Sequence, residues 1–431
     1  MPGIKLSVGS EQPRRFRWRT QPYRGTLLRI IRRAVGGLVA AQAGVISTLM
    51  AIDVWRKRYR SQGGFPRTRP GAETVAGSEV QVYTYGQDLY AAMLDAIDQA
   101  ESCVLLETYI WKDDAVGQQF KDALYRAAAR GAAVYVIYDA FANLVVRRRF
   151  KHFPPPLHVL RYPLLPWPFN PFHLRSYARD HRKIMVVDGR TAFVGGYNIG
   201  ARYATDWRDT HVRVAGPSAW ELENVFVDFW NAQRTRRLPS IPQRGTPTWE
   251  PRINVHRNDP PMLMFPIRAM YLEAIDRAQH RIYLTHAYYI PDRVLFRALL
   301  QAAERGVDVR IVLPATSNHV VADWLARGYY DQCLRAGIKL LLYQNAMVHA
   351  KTATIDGIWS TIGTTNMDRL SMVGNFEVNV EFYDRSLAQR MEQVFRKDSV
   401  NTRELTLAEW QQRPLLEKLA EAILMPLRPL L

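Results

Sequence analysis

The chain has 431 residues, 48% of them hydrophobic and 23% charged. This composition excludes a disordered or collagen-like protein, and the length fits two domains better than one. Two cysteines, Cys103 and Cys333, exclude a disulfide framework and a cysteine-based zinc site, and read as two free thiols in a reducing compartment. The net charge is +18, and it is unevenly spread. Residues 1–60 hold thirteen Lys and Arg against two acids, Glu11 and Asp53. On charge alone, such a basic arm suits nucleic acid or anionic lipid equally well.

The interior of this arm (1–60) favours lipid. Ala34 to Ile52 is a run of nineteen residues without a formal charge, bounded by Arg32–Arg33 and by Arg56–Lys57–Arg58. A spanning helix needs about 20 apolar residues, so the run (34–52) is just long enough. Gly36, Gly37, Gln42, Gly44, Ser47 and Thr48 dilute it. A membrane helix, spanning or lying shallow, is the leading reading. A buried soluble helix and an Arg-rich targeting segment are the alternatives. Arginines flank both ends, so the positive-inside rule assigns no orientation.

Residues 61–78 are rich in Gly and Pro and read as a linker. Beyond them the chain repeats. Gln87–Ala100 has a helical pattern ending AIDQA, and Tyr271–Ala278 matches it with AIDRA. Each is followed by an apolar strand (from Val104 and from Ile282), a helix ending Arg-Gly (at Gly131 and Gly306) and a second strand (from Ala133 and from Val307). Strand–helix–strand units rich in β-branched residues imply parallel pairing, and two copies imply two similar α/β halves, at 79–235 and 253–400. The connecting stretch 236–252 holds four prolines and reads as a crossing linker. Phe153–Phe172 holds seven prolines among aromatics, too many for a regular helix or a central strand. It is either a packed surface loop or an apolar lip beside a site. The tail 401–431 has apolar residues at 415, 416, 419, 420, 423 and 424 behind Pro414, which is helical spacing. A helix docked on the core is the preferred reading, with an interfacial helix as the alternative.

The chemistry lies in a duplicated motif. His181 opens HRKIMVVDGRTAFVGGYNIG and His349 opens HAKTATIDGIWSTIGTTNMD. One offset, 168, relates His181 to His349, Lys183 to Lys351, Asp188 to Asp356, Gly195 to Gly363, Asn198 to Asn366 and Asp209 to Glu377. A lone H-x-K is common, but six matched positions at one offset are not. On a strand, residues two apart face the same side, which puts each His beside its Lys. Asp188-Gly189 and Asp356-Gly357 are hairpin signals. The returning strands end in small residues, which would let backbone N–H groups approach an anion. Lysine and asparagine supply positive charge and donors, suited to phosphate oxygens while a bond breaks. A histidine acts as nucleophile when neutral and as general acid when charged. Asp209 and Glu377, each 28 residues beyond the histidine of its motif, are placed to accept from a ring N–H and fix its tautomer.

Two H-x-K-x4-D motifs, each followed by G-x-x-N, resemble the phospholipase D superfamily. The stretch from Tyr288 to Lys351 (YYIPD to HAK) is similar to bacterial cardiolipin synthases, and the resemblance covers Glu79 to Arg396. It implies two phospholipase D-type halves, each a mixed β-sheet flanked by helices, related by a pseudo-two-fold around one shared active site. The implied catalytic set is His181, Lys183, Asp188, His349, Lys351 and Asp356. His181 would be the nucleophile and His349 the acid/base, an order that the symmetry of the motifs does not itself decide. Lys183, Asn198, Lys351 and Asn366 would hold phosphate, and Asp209 and Glu377 would orient the histidines. Asp188 and Asp356 fit the turn and scaffold better than substrate contact. No metal and no other cofactor is implied, because the lysines supply the positive charge. Gly196 stands where many members carry Ser or Thr, and Thr364 keeps the hydroxyl, so a hydroxyl contact is expected on one side only.

The implied activity is phosphatidyl transfer from phosphatidylglycerol to a second phosphatidylglycerol or related lipid alcohol, with release of glycerol through a phosphohistidine. The implied setting is the bacterial inner membrane. A hydrolytic phospholipase D is the runner-up, since only water access would differ. A nuclease is disfavoured because most of the excess charge surrounds an apolar segment, so no nucleic-acid partner is expected. A lipid-binding protein with a dead site is disfavoured by the intact His–Lys pairs. Oligomeric state is left open.

Overall fold

The computed structural model describes residues 23–59, 64–165, 177–243, 245 and 250–430. Two eight-stranded mixed sheets carry the fold. The first runs, edge to edge, Gly71–Val75, Ser78–Tyr83, His211–Ala215, Thr191–Gly195, Ile184–Val187, Cys103–Thr108, Ala133–Asp139 and His158–Tyr162. The second runs Ile253–Asn258, Glu377–Tyr383, Trp359–Gly363, Lys351–Ile355, Arg281–His286, Asp308–Pro314, Lys339–Tyr343 and Thr402–Leu405. Seven consecutive strands of one sheet match seven of the other, and each sheet adds one strand at the opposite edge.

The repeat read in the sequence is the parallel core of each half. Cys103–Thr108 pairs in parallel with Ala133–Asp139, and Arg281–His286 with Asp308–Pro314. The crossover helices are Ala115–Ala129 and Arg293–Glu304, each capped at its start by an aspartate, Asp114 or Asp292, that accepts backbone N–H groups. Next to each parallel core an antiparallel hairpin carries the motif strand, Ile184–Val187 or Lys351–Ile355.

Three sequence expectations change. Residues 61–78 are not linker throughout, because Gly71–Val75 turns at Ala76–Gly77 and pairs with Ser78–Val82 as an edge strand. His158–Tyr162 is a strand within the proline-rich stretch, and it lies on the sheet edge, where flanking prolines cost no ladder bond. Residues 166–176 of that stretch lie outside the described residues. The tail also holds a strand, Thr402–Leu405, ahead of its helices.

The halves share a core. Val194, Val212 and Phe226 of the first half cluster with Ile362, Val378, Val380 and Phe382 of the second, all buried. This packing brings the two motif hairpins face to face.

The apolar run of the basic arm lies in one helix, Tyr23–Tyr59. Its stretch Leu28–Val54, 27 residues, is long and apolar enough to cross a membrane. At ~1.5 Å per residue it rises about 40 Å, against a hydrocarbon core of about 30 Å. Leu28, Ile30, Val35 and Val39 are exposed, which does not fit a buried core helix. Val45, Ile46 and Leu49 pack on the core of the second half. The Gln42 side chain donates to the Ile423 carbonyl at 3.1 Å, tying this helix to the tail helix Leu415–Leu424. The tail helix docks through Leu424, but its Leu415, Leu416 and Leu419 are exposed.

Candidate active site

Each histidine is held by the half to which it does not belong. The His181 N–H donates to the Phe376 carbonyl at 3.0 Å, and the His349 N–H to the Arg208 carbonyl at 2.7 Å. Phe376 and Arg208 immediately precede Glu377 and Asp209, so the same contacts deliver a carboxylate to each ring. His181 Nδ1 lies 2.9 and 3.0 Å from the Glu377 carboxylate oxygens. His349 Nδ1 lies 2.7 Å from Asp209 Oδ2. The pairing therefore crosses between the halves. With a carboxylate accepting at Nδ1, that nitrogen carries the ring proton, and Nε2 of the neutral ring keeps its lone pair.

His181, His349, Asn198 and Asn366 line a single cavity of about 470 Å³. The lysines lie beneath the histidines. Lys183 Nζ donates to the His181 carbonyl and Lys351 Nζ to the His349 carbonyl, and Lys351 Nζ also lies 3.0 Å from His349 Nδ1. Asn198 Oδ1 accepts from the Ile110 N–H at 3.0 Å, which leaves its amide N–H₂ as the group to offer. Buried Asn366 Oδ1 has no hydrogen-bond partner among the described residues.

Two motif positions do other work. Asp188, at φ 54°, accepts from the backbone N–H groups of Glu101, Ser102 and Cys103 at 2.8–3.0 Å. Asp356, at φ 53°, accepts in the same way from Gln279, His280 and Arg281 at 2.8–2.9 Å. Neither lines the cavity: they pin the start of each central strand to the motif hairpin, the turn and scaffold place that their residue type suggested.

The small residues after the returning strands also serve a different purpose from the expected anion cradle. The Gly196 N–H is used by the Thr210 carbonyl (3.0 Å) and the Thr364 N–H by the Val378 carbonyl (2.9 Å). A Cβ on Gly196 would lie 2.1 Å from Asp209 Oδ1. The glycine thus makes room for the carboxylate. On the other side the Thr364 hydroxyl donates to Glu377 Oε2, so the hydroxyl contact is one-sided, as expected, but it falls on the carboxylate.

Burial dominates the electrostatics. It pushes Lys183 down to about 7 against the pull of Glu377, and Lys351 down to about 8 against Asp209 and Glu377. Burial and the lysines hold His181 well below its usual value and lower His349 to about 3. The two acids diverge. Burial raises Glu377 to about 8, with Lys183 and the Thr364 hydroxyl opposing. For Asp209, burial acts upward but is outweighed by Lys351 and His349, and its carboxyl stays below the usual range. The pseudo-symmetric pairs are therefore not equivalent, in keeping with the Asp/Glu difference in sequence.

The motif did not reveal the rest of the cavity wall: Tyr109, Trp207, Tyr288, Asn318, His319 and Asp368 among others. Tyr109 packs edge-on against His181, with ring centroids 4.7 Å apart, and Trp207 lies 4.9 Å from His349. A signal for part of this wall was present. Tyr109 directly follows the strand Cys103–Thr108 and Tyr288 lies two residues beyond the matched strand Arg281–His286, and ligands of open α/β sheets sit beyond the carboxyl ends of strands.

The family model described as cardiolipin synthase, phospholipase D-like domain, matches residues 93–230 and 271–399. The major cardiolipin synthase ClsA of Bacillus subtilis (strain 168) is 32% identical over 371 residues, covering 82% of this chain and 76% of that protein. A cardiolipin synthase of Listeria monocytogenes serotype 4b (strain CLIP80459) is 31% identical, covering 84% of this chain and 77% of its own. Among solved structures, the phosphatidylserine synthase of Haemophilus influenzae Rd KW20 shares the fold with a TM-score of 0.64, over 84% of this chain and 94% of that one, at 14% identity. With a duplicated His–Asn set lining one cavity, and with these relatives, the chain belongs to the cardiolipin synthase family, phosphatidyltransferases of the phospholipase D superfamily.

Proposed function

We propose that this protein transfers a phosphatidyl group from phosphatidylglycerol to a second phosphatidylglycerol, or a related lipid alcohol, and releases glycerol at the bacterial inner membrane. The observation that carries the reading is the meeting of both motif histidines and both motif asparagines at one cavity, each ring held by a carboxylate of the opposite half.

His181 Nε2 attacks phosphorus, and the bond from phosphorus to the glycerol oxygen breaks. The proton on His349 Nε2 passes to that oxygen as it leaves. His349, now neutral, takes the proton of the incoming lipid hydroxyl, whose oxygen attacks phosphorus and frees His181. Two in-line displacements retain configuration, and the proton count closes. Ionised Asp209 favours the cationic form of His349 that the first step requires. The phosphodiester charge acts in the same sense by offsetting Lys351. Lys183, Lys351, Asn198 and Asn366 hold the phosphate oxygens as charge develops, and Glu377 fixes the tautomer of His181. A wall that includes Ile110, Tyr203, Trp207, Val321 and Leu370 limits water, which favours transfer over hydrolysis.

The test is to incubate the purified full chain with phosphatidylglycerol and resolve lipids and released headgroup, with and without EDTA. Cardiolipin and glycerol in equal amounts, unaffected by EDTA, are expected. Phosphatidic acid with glycerol would instead identify a hydrolase. Turnover of DNA without turnover of lipid would place the enzyme among nucleases.

A further inference from the structure

Phe141, Leu144 and Val145 are large apolar side chains set in open solvent, Val145 at 85% exposure. They do not sit on a slack loop. The Asp139 carboxylate accepts from the N–H groups of Phe141 (2.7 Å) and Ala142 (3.1 Å). Buried Asn143 donates to the carbonyls of Tyr109 and Asp139, both at 2.8 Å, and accepts from the Trp111 N–H at 2.9 Å. Val146 and Phe150 are buried in the core of the first half, and Lys121 Nζ ties down the carbonyls of Phe150 (2.8 Å) and His152 (2.7 Å). The turn run is fixed from below, and the fixing presents its apolar tips outward. Isolated exposed apolar residues are ordinary, but a rigid cluster of them marks an interaction surface.

The position of the cluster is equally specific. Tyr109, which Asn143 anchors, lines the catalytic cavity. Arg179 joins the cluster to the cavity by a second route. Its guanidinium lies 5.9 Å from the Phe141 ring and donates to the Pro163 carbonyl, just before exposed Leu164 and Leu165. Its backbone N–H donates to Asn375, another cavity residue. Across the cavity, Val321 and Ala322 come from the helix Val320–Ala326, against which the long apolar helix packs. The cavity is therefore walled by a helix that packs on the long apolar helix and by Tyr109, whose carbonyl the apolar turn binds. Basic side chains border the turn: Arg148 and Arg149 are exposed, with Arg147 and Lys151 beside them. Apolar tips next to an arginine cluster complement the acyl boundary and the anionic headgroups of a bilayer.

We propose that Phe141–Lys151, together with Leu164 and Leu165, forms a membrane-docking rim that seats the cavity mouth on an anionic bilayer, as a contact separate from the N-terminal apolar helix. This rests on the reading that the site acts on membrane phospholipid.

The test uses the full chain in nanodiscs of phosphatidylglycerol and phosphatidylcholine. Cys103 and Cys333 are replaced by serine, and one new cysteine carries a polarity-sensitive fluorophore: Val145→Cys on the rim, or Glu101→Cys at the start of the strand whose other end leads to Tyr109. The Val145 probe is expected to shift to the blue and to be quenched by brominated lipid, while the Glu101 probe is quenched only by aqueous iodide. Equal quenching of both by iodide would overturn the proposal. In a second arm, the combined variant Leu144→Glu, Val145→Glu, Arg148→Glu, Arg149→Glu is expected to lose about tenfold in turnover of bilayer phosphatidylglycerol. Its turnover of a water-soluble short-chain phosphodiester should match that of the unaltered chain. Equal loss on both substrates, or on neither, counts against the rim. Whether the unaltered chain turns over phosphatidylglycerol is read separately, so a failure of the function and a failure of the rim are distinguishable.

Discussion

Gly196 leaves the space that the Asp209 carboxylate fills, and a serine there would place its Cβ against that oxygen. Gly196→Ser should therefore push Asp209 from His349 and cost about 10²-fold or more in kcat, the scale set by disturbing a histidine–carboxylate pair. The fold should be kept, and a steady-state assay beside circular dichroism checks both. Normal kcat would mean that Asp209 has somewhere else to go. Burial also sets a pH dependence. A lysine whose value is lowered loses its proton as pH rises through that value, here about 7 for Lys183 and about 8 for Lys351. Because kcat/KM reports the free enzyme, it should fall as pH rises through this range. The basic limb should lie well below the ~10.4 of an ordinary lysine. The acid limb, where His181 gains a proton and loses its lone pair, should lie below the usual histidine value, because burial and the lysines hold that ring below it. A profile flat to about pH 10 would contradict the assigned lysine values. At this scale the sequence was readable where the chemistry lay in residue type and in one offset, as for His181, Lys183, Asn198 and their partners. It was silent on the exchange of acids, because spacing along one half carries no information about which ring the other half reaches.

Asp188 and Asp356 show how a motif can be conspicuous and still lie outside the chemistry. Each carboxylate gathers three backbone N–H groups at the start of a central strand, while the histidine of its motif lines the cavity at the other end of the hairpin. Asp356→Ala should lower stability by about 2 kcal/mol, in line with hydrogen bonds to a charged group at a partly exposed site. Activity per folded molecule should be nearly unchanged. Thermal melting beside active-site titration reads the two effects apart, and a collapse of activity without loss of stability would return Asp356 to the catalytic set. The βαβ units were legible because strand and helix periods alternate twice in the same order. The edge strands Gly71–Val75 and His158–Tyr162 were not, since glycine and proline around them carry the composition of loops and only pairing with a neighbour makes them strands.

Two halves that each bring a histidine, a lysine and an asparagine, but borrow the acid of the other, form a site that neither half can complete. The shared apolar core of Val194, Phe226, Val378 and Phe382 holds the two sheets in this relation. The long apolar helix then gives the second half a hold suited to a bilayer, consistent with a lipid substrate. The duplication and the apolar helix were explicit in the sequence and the shared site was implied by the resemblance, but the borrowed acids and the common core were not, because contacts between halves depend on how two sheets face each other. The account's central claim is that His181 becomes covalently attached to phosphorus while His349 moves the proton. It is tested most directly by mass spectrometry of full-length His349→Ala protein mixed with the p-nitrophenyl ester of phosphatidic acid, whose leaving group needs no protonation, and quenched in neutral denaturant, where a phosphohistidine survives. The account predicts a phosphatidyl adduct on His181 that accumulates because the second step lacks its base, and no such adduct in His181→Ala. An adduct on His349 in the His181→Ala protein, with none on His181 in the His349→Ala protein, would contradict it.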